Sequence, residues 1–258
     1  MTIPVVFSTG SLYPFGLDRV YGWAAEAGYD GVEIMMDDRW DTHQDNYLNH
    51  LADKHGIPIL AFHTPLHRGT WGLEPGETLV RAAKLAGRIG ASVVVVHPPP
   101  LGRPLARWVA GPLKEARAQD VSVAVENMAR GHAKQPFSIR RRSCHRPEHL
   151  FSLGDVTLDT SHVAASGLDL MEAYGKLADQ LRHVHLSDSD LSGGDQHRLP
   201  GKGKLPLKEL LAALERDSYP GAVSLELKPW PLGTPDPETI LKRMSGALEF
   251  TREGLVRD

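Results

Sequence analysis

The sequence predicts an α/β fold, specifically a closed (β/α)8 TIM barrel, from three observations. Eight short apolar runs recur along the 258 residues, and stretches with helical spacing separate them. The runs are almost continuously apolar, which is typical of parallel strands buried on both faces. The chain length matches the roughly 250 residues of such a barrel. A doubly wound open sheet is less favoured, because "STGSLYPFG" lacks the G-x-G-x-x-G spacing of a phosphate-binding loop.

The expected elements alternate along the chain. The strands are "PVVFS", "GVEIMM", "PILAFH", "SVVVVH", "VSVAVE", "DVTLDT", "LRHVHL" and "AVSLEL". The main helices are "LDRVYGWAAEAG", "DNYLNHLADKHG", "ETLVRAAKLAGRIG", "LARWVAGPLKEARAQ", "DLMEAYGKLADQ", "LKELLAALERD" and "PETILKRMSGALEFTREG". Several end in glycine, a common helix C-cap. The fifth unit is irregular: "ARGHAKQPFSIRRRSCHRPEHL" is too long and polar for an ordinary βα loop, and its helix should be short, near Pro147 to Leu153.

Composition narrows the class of protein. A net charge of -3 argues against a strongly basic nucleic-acid binder, and 41% hydrophobic residues suffice for a sizeable core. Cys144 is the single cysteine, so an internal disulfide is excluded and a reducing compartment fits best. We see no signal peptide and no apolar run near the roughly 20 residues of a membrane span. We therefore expect a soluble cytoplasmic protein in which residues 1–258 form one domain.

Side chains that can bind metal follow six consecutive strand runs. In a closed barrel these strand ends meet at one face, where the βα loops build active sites. The nine groups are His63, His97, Glu126, Asp159, His162, His185, Asp195, His197 and Glu226. Singly, each has an ordinary explanation; Asp159, for example, could cap the following helix. Together they predict a cation that offsets the cost of burying several carboxylates. Imidazole with carboxylate suits Zn, Mn, Fe or Co better than Ca, and nine groups exceed the needs of one ion.

These motifs resemble those of the xylose isomerase-like TIM-barrel superfamily. It contains sugar phosphate isomerases and epimerases, and endonuclease IV-type AP endonucleases of family 2. The most specific pieces are "LDTSHVAASG", "HLSDS", "VENM" and the D-x-H…G-x-G of "DQHRLPGKG". The nuclease resemblance implies three zinc ions on all nine groups. The epimerase resemblance implies one divalent ion, often Mn, on Glu126, Asp159, His185 and Glu226, with His162 touching the substrate. The ligands alone thus leave one to three ions open.

Other features favour the sugar branch. The segment "STGSLYPFGLDRVYGWAAEAGYDGVEI" resembles sugar isomerases and lacks the "AH-x-S" opening of the nuclease branch. Leu66 follows "HTP", where the nuclease branch has an aromatic wedge for DNA. The basic "SIRRRSCHR" is either a solvated surface or an anion site for a sugar phosphate or a DNA backbone. Lys202 replaces the acidic residue usual between the glycines of "GKG".

The first hypothesis is a divalent-metal-dependent sugar or sugar-phosphate isomerase or epimerase. Glu126 and Glu226 would exchange a proton as general acid and base through a metal-stabilised enediolate, and His162 would assist. The expected substrate-binding cations are Arg198, Lys202, Arg140 and Arg142. The alternative is an endonuclease IV-like zinc phosphodiesterase with a two- or three-metal cluster, and it alone makes nucleic acid a partner. A third, less favoured possibility is a non-catalytic metal-binding barrel.

Overall fold

The eight expected strands form a closed parallel barrel in the computed structural model, which describes residues 2–65, 70–130, 143–233 and 236–256. The strands are β1 (Val5–Ser8), β2 (Gly31–Met35), β3 (Ile59–His63), β4 (Val93–Val96), β5 (Ser122–Glu126), β6 (Val156–Asp159), β7 (Leu181–Leu186) and β8 (Ala222–Leu225). Each pairs in parallel with the next, and β8 closes on β1. The (β/α)8 prediction is therefore confirmed, and the open sheet is excluded.

Strand register determines which side chains meet at the rim. Met35 pairs with His63 across β2 and β3, and Asp159 pairs with His185 across β6 and β7. Because all eight strands are parallel, their carboxyl ends emerge at the same end of the barrel. Residues at and just after the strand ends therefore converge on one mouth.

Helices connect the strands in the order expected. Their bounds are Leu17–Ala27, Asp45–His55, Pro75–Ile89, Arg103–Trp108, Thr160–Ala165, Leu170–Leu177, Leu207–Arg216, Pro229–Leu232 and Pro237–Gly254. Gly90 ends the third helix at φ 77°, a left-handed conformation that glycine adopts readily. Within the described ranges, no helix combines the length and hydrophobicity needed to cross a membrane.

Two helical stretches differ from the sequence expectation. The stretch predicted around 105–119 is interrupted by a π turn, Val109–Leu113, before it ends in Lys114–Ala116. Pro112 lies inside that turn, and proline cannot donate the usual helical hydrogen bond and crowds the preceding turn. The short helix expected near Pro147 to Leu153 is a single 3-10 turn, Pro147–His149.

The barrel interior is partly polar. Strand residues alternate between the two faces, so Val94 and Val96 join the large apolar core, whereas Val93 packs with Ala61 and Ala124 in a separate small cluster. These small side chains leave room inside the barrel for polar side chains. The fully buried Glu33 is one of them.

Candidate metal centre

Glu126, at the end of β5, contacts histidines that lie at or just after the ends of β3, β4 and β6. Its Oε2 atom lies 3.1 Å from Nε2 of His63 and 3.0 Å from Nε2 of His97. Its Oε1 atom lies 3.0 Å from Nδ1 of His162. Burial alone would raise the pKa of Glu126, but His97, His185 and His162 hold that pKa well below its usual range. Glu126 is therefore an ionised carboxylate surrounded by imidazoles.

A second group lies beside it, on the turn after β6 and the loop after β7. Nε2 of His197 is 2.9 Å from an Asp195 oxygen, and Nε2 of His162 is 3.9 Å from the same carboxylate. Ser161 donates its hydroxyl to Asp195 and accepts the backbone N–H of His197, which holds the loop against the barrel. Asp159, His162 and His197 each direct one ligand atom into a shared space, with these atoms within 4.8 Å of one another.

Asp159 has two roles, one for each carboxylate oxygen. Oδ1 accepts the backbone N–H of His162 at 2.7 Å and caps the helix Thr160–Ala165, so the capping reading is correct. Oδ2 is buried and makes no hydrogen bond within the described part of the chain. The backbone N–H of Asp159 donates to Asn127 at 2.7 Å, which explains the Asn of "VENM". The cap thus aims the second oxygen at the cluster.

Four side chains form the largest of the candidate ligand sets within the described residues. Glu126, Asp159, His185 and Glu226 offer ligand atoms that all lie within 4.8 Å of one another, and we call them the four-ligand group. Nδ1 of His185 is 2.7 Å from Oε2 of Glu226, yet neither atom has a hydrogen bond of acceptable geometry in the described structure. Buried polar atoms without partners are costly. A divalent cation satisfies these atoms together, so the donor set fits such an ion.

The charges of the group follow from its geometry. Burial would raise the pKa of Glu226, but His185 and His197 lower it to about 2. Burial opposes protonation of His162 and His185, but the neighbouring carboxylates raise both pKa values well above the ordinary range. In the metal-free protein at neutral pH, protons on imidazoles therefore balance the carboxylates. Metal ligands must give up such protons on binding.

The metal-free protein should lose stability as pH rises above neutral. Burial alone would lower the pKa of His197, but Asp159 and Asp195 raise it from 6.5 to about 9. A group whose pKa is raised on folding stabilises the fold fully below its unfolded pKa, here 6.5, and loses this contribution as pH rises through about 9. This pKa shift corresponds to roughly 3 kcal/mol of folding stability.

Denaturant titration of EDTA-treated protein between pH 6.5 and about 9 measures this loss of stability. A free energy of unfolding that is constant or rises would contradict the charge assignment, and metal-loaded protein is the control.

A cavity of about 490 Å³ opens beside the four-ligand group. Asp195, His197 and Glu226 line it on the side of the four-ligand group, and the exposed Tyr13 and Trp230 also line it. This volume is in the usual range for small-molecule sites. Both aromatic side chains are largely exposed, at 59% and 66%, and offer flat apolar faces to a ligand.

Lys228 is the lysine of the cavity lining, and sequence reasoning missed it. Its ammonium contacts the backbone oxygen of Asp195 and lies 3.9 Å from the carboxylate of the same residue. Arg198 instead pairs with Asp190 at 2.5 Å, and Lys202 is exposed. Neither Arg198 nor Lys202 is among the described residues that line the cavity, and their substrate role stays a prediction. The signal for Lys228 was its position two residues after Glu226.

Other sequence expectations lie outside the described residues. These are Arg140 and Arg142 of the basic segment, and Leu66 after "HTP". The described part of that basic segment includes Cys144, whose thiol is buried, and burial raises its pKa to about 11.

The "GKG" motif has a structural explanation in the loop after β7. Both oxygens of Asp188 accept backbone N–H groups from this loop, Oδ2 from Gly203 at 2.8 Å and Oδ1 from Leu205 at 3.1 Å. A Cβ on Gly203 would collide with the Asp188 carboxylate and the Ser189 carbonyl. Asp188 therefore anchors the loop that carries Asp195 and His197.

A closed barrel with a histidine–carboxylate cluster at its rim defines a TIM-barrel protein with a candidate metal centre. The chain belongs to the family described as "Xylose isomerase-like TIM barrel", which matches residues 21–245. This confirms the resemblance inferred from the motifs.

Relatives within the family include sugar epimerases. The chain is 25% identical to fructoselysine 3-epimerase of Escherichia coli O157:H7 over 238 residues, with 82% of this chain and 85% of the relative covered. It is 31% identical over 279 residues to an uncharacterized protein of Mycobacterium leprae, with 99% of both chains covered. The structure of D-psicose 3-epimerase from Clostridium cellulolyticum H10 with D-tagatose superposes with a TM-score of 0.74 at 16% identity, covering 99% of this chain and all of that one, so it shares the fold.

Proposed function

We propose that this protein is a divalent-metal-dependent sugar isomerase or epimerase. The observation that carries the proposal is the convergence of Glu126, Asp159, His185 and Glu226 directly beside a cavity of about 490 Å³. These four residues would hold a divalent ion, which would supply Lewis acidity to oxygen atoms of a bound sugar. The names of relatives such as fructoselysine 3-epimerase support the same chemistry.

Glu226 is the proposed proton acceptor. It lies at the cavity wall, and its pKa of about 2 keeps it ionised at neutral pH. It would take the proton from the carbon next to the sugar carbonyl. Glu126 lies on β5, three strands from β8 around the barrel, and would deliver a proton from the other side, drawing it from the protonated His162 beside it. Delivery of a proton to the opposite face of the same carbon gives the epimer.

The described cavity lining favours a neutral sugar over a phosphorylated one. It carries the carboxylates of Asp37, Asp38, Asp195 and Glu226 against the ammonium of Lys228 and the imidazolium of His197. Away from the proposed ion, this excess of carboxylates disfavours a phosphate dianion and also a DNA backbone. Tyr13 and Trp230 suit the apolar C–H face of a sugar ring.

Solvent deuterium exchange tests the proposed function. Protein loaded with Mn²⁺ or Zn²⁺ is incubated in D2O with a panel of ketoses and their phosphates, and exchange at the carbon next to the carbonyl is followed by NMR. We expect exchange with at least one neutral ketose, and slower exchange with its phosphate. No exchange with any sugar, under either metal, would refute the proposal.

A zinc phosphodiesterase remains the second candidate, because the remaining five predicted ligands also lie in the cluster. His63, His97, His162, Asp195 and His197 all contact Glu126 or one another within 4 Å. Two or three ions per chain, together with cleavage of an abasic-site duplex, would favour this candidate. One ion per chain favours the isomerase.

Replacing His97 with alanine separates the two candidates. His97 touches Glu126 but is outside the four-ligand group, and its side chain is 31% exposed. For the isomerase we expect the metal content to stay at one ion per chain and activity to fall about 10–100-fold. For the phosphodiesterase, an ion should be lost. Elemental analysis by mass spectrometry measures the content, and alanine at the exposed His50 is the control.

A further inference from the structure

Glu33 lies on β2 inside the barrel and is fully buried. Its Oε2 atom is 2.5 Å from Nε2 of His183 and 3.1 Å from Nε2 of His185, both on β7. β2 and β7 are three strands apart around the barrel, so these contacts cross its interior. A buried carboxylate needs partners to offset its desolvation, and the two imidazoles provide them at Oε2.

These contacts use one ring nitrogen of His185 and direct the other toward the four-ligand group. Nδ1 is 2.7 Å from Glu226 and 3.5 Å from Glu126. A metal-binding imidazole carries one N–H and one lone pair. When Nε2–H donates to Glu33, the lone pair is on Nδ1, where the ligand atoms converge.

His183 contacts the same Oε2 atom of Glu33 as His185 does. Its Nε2 lies within hydrogen-bond distance of this carboxylate oxygen, so the ring donates Nε2–H to Glu33. Its ring packs edge-on against His185, with centroids 5.2 Å apart. Glu33 is thus held by one histidine while it orients the other.

We propose that Glu33 is a positioning residue of the metal centre, which fixes the tautomer and ring orientation of His185 so that Nδ1 faces the ion. The inference rests on the proposed metal dependence and extends it, because Glu33 and His183 are outside the four-ligand group. Carboxylates that orient a metal-bound histidine in this way typically contribute about 10–100-fold to metal affinity.

The Glu33→Gln variant tests the proposal by metal affinity rather than turnover. Glutamine has nearly the same shape but lacks the charge that holds both Nε2–H groups. We expect the Zn²⁺ dissociation constant, measured by competition with a chromogenic chelator, to rise about 10–100-fold. Glu77→Gln is the matched control, since Glu77 belongs to the capping box of the helix Pro75–Ile89, outside the cluster. Unchanged Zn²⁺ affinity in a folded Glu33→Gln protein overturns the proposal.

Long-range ¹H–¹⁵N NMR of zinc-loaded wild-type protein gives a test that needs no variant to fold. The expected spectrum has zinc on Nδ1 of His185 and a hydrogen-bonded proton on Nε2. A proton on Nδ1 overturns the positioning role even if turnover is normal. Wild-type protein that binds neither Zn²⁺ nor Mn²⁺ refutes the metal dependence itself, so the two failures are distinguishable.

Discussion

Replacing Asp159 with asparagine is expected to remove the bound divalent ion and to lower turnover by roughly 1,000-fold, which corresponds to several kcal/mol of lost Lewis-acid stabilisation. The substitution is selective because the two oxygens of Asp159 have separate roles. Asparagine keeps an acceptor for the N–H of His162 and so preserves the helix cap. At the position of Oδ2, which has no hydrogen-bond partner among the described residues and faces the four-ligand group, asparagine places an uncharged amide.

Asp169→Asn is the matched control for this experiment. Asp169 caps the helix Leu170–Leu177 by accepting the N–H of Glu172 at 2.8 Å, and it is outside the cluster. Both variants should fold, as judged by circular dichroism, but only Asp159→Asn should be metal-free by elemental analysis. Full metal content and activity in Asp159→Asn would show that Asp159 is only a helix cap, and the site assignment would be wrong.

Glu226→Gln is expected to reduce proton exchange by about 100- to 10,000-fold with one sugar epimer, the range that general acid–base groups contribute. Two carboxylates on opposite sides of a substrate each serve one epimer. Glu126→Gln should therefore reduce exchange with the other epimer more strongly. Exchange is measured in D2O at saturating metal, so that the loss of a proton acceptor is separated from weaker metal binding.

The exposed Glu209 on the helix Leu207–Arg216 offers a control for the same chemical change. Glu209→Gln should exchange both epimers at the wild-type rate. If Glu226→Gln and Glu126→Gln impair both epimers equally while retaining metal, the two-carboxylate assignment fails. A single proton-transfer group would then have to serve both faces of the sugar.

The architecture could be predicted from the sequence because it follows from local patterns. A continuous apolar run such as "SVVVVH" can be buried on both faces, and eight such runs alternating with helices close into a parallel barrel. Local chemistry also determined the turn after β6: Asp159 precedes a helix and caps it, as its type and position indicate. The break at Pro112 was less evident, because the helical spacing of apolar residues continues through it, while the missing N–H and the ring of proline disrupt the helix.

The convergence of the nine predicted ligands required only that the strand ends meet at one rim, which the topology ensures. The pairing of side chains inside that rim required the tertiary structure. Glu33 contacts His183 across 150 residues of sequence, and no local pattern specifies which side chains of distant strands face one another.

The cation that lines the cavity also depended on the tertiary structure. Arg198 directly follows the predicted ligand His197 in sequence, but it forms an ion pair with Asp190. Lys228 lines the cavity instead. The periodicity of the sequence determined the barrel and the position of its predicted ligands. Closure of the barrel decided which side chains those residues contact, because hydrogen bonds and charges act over a few ångströms regardless of separation along the chain.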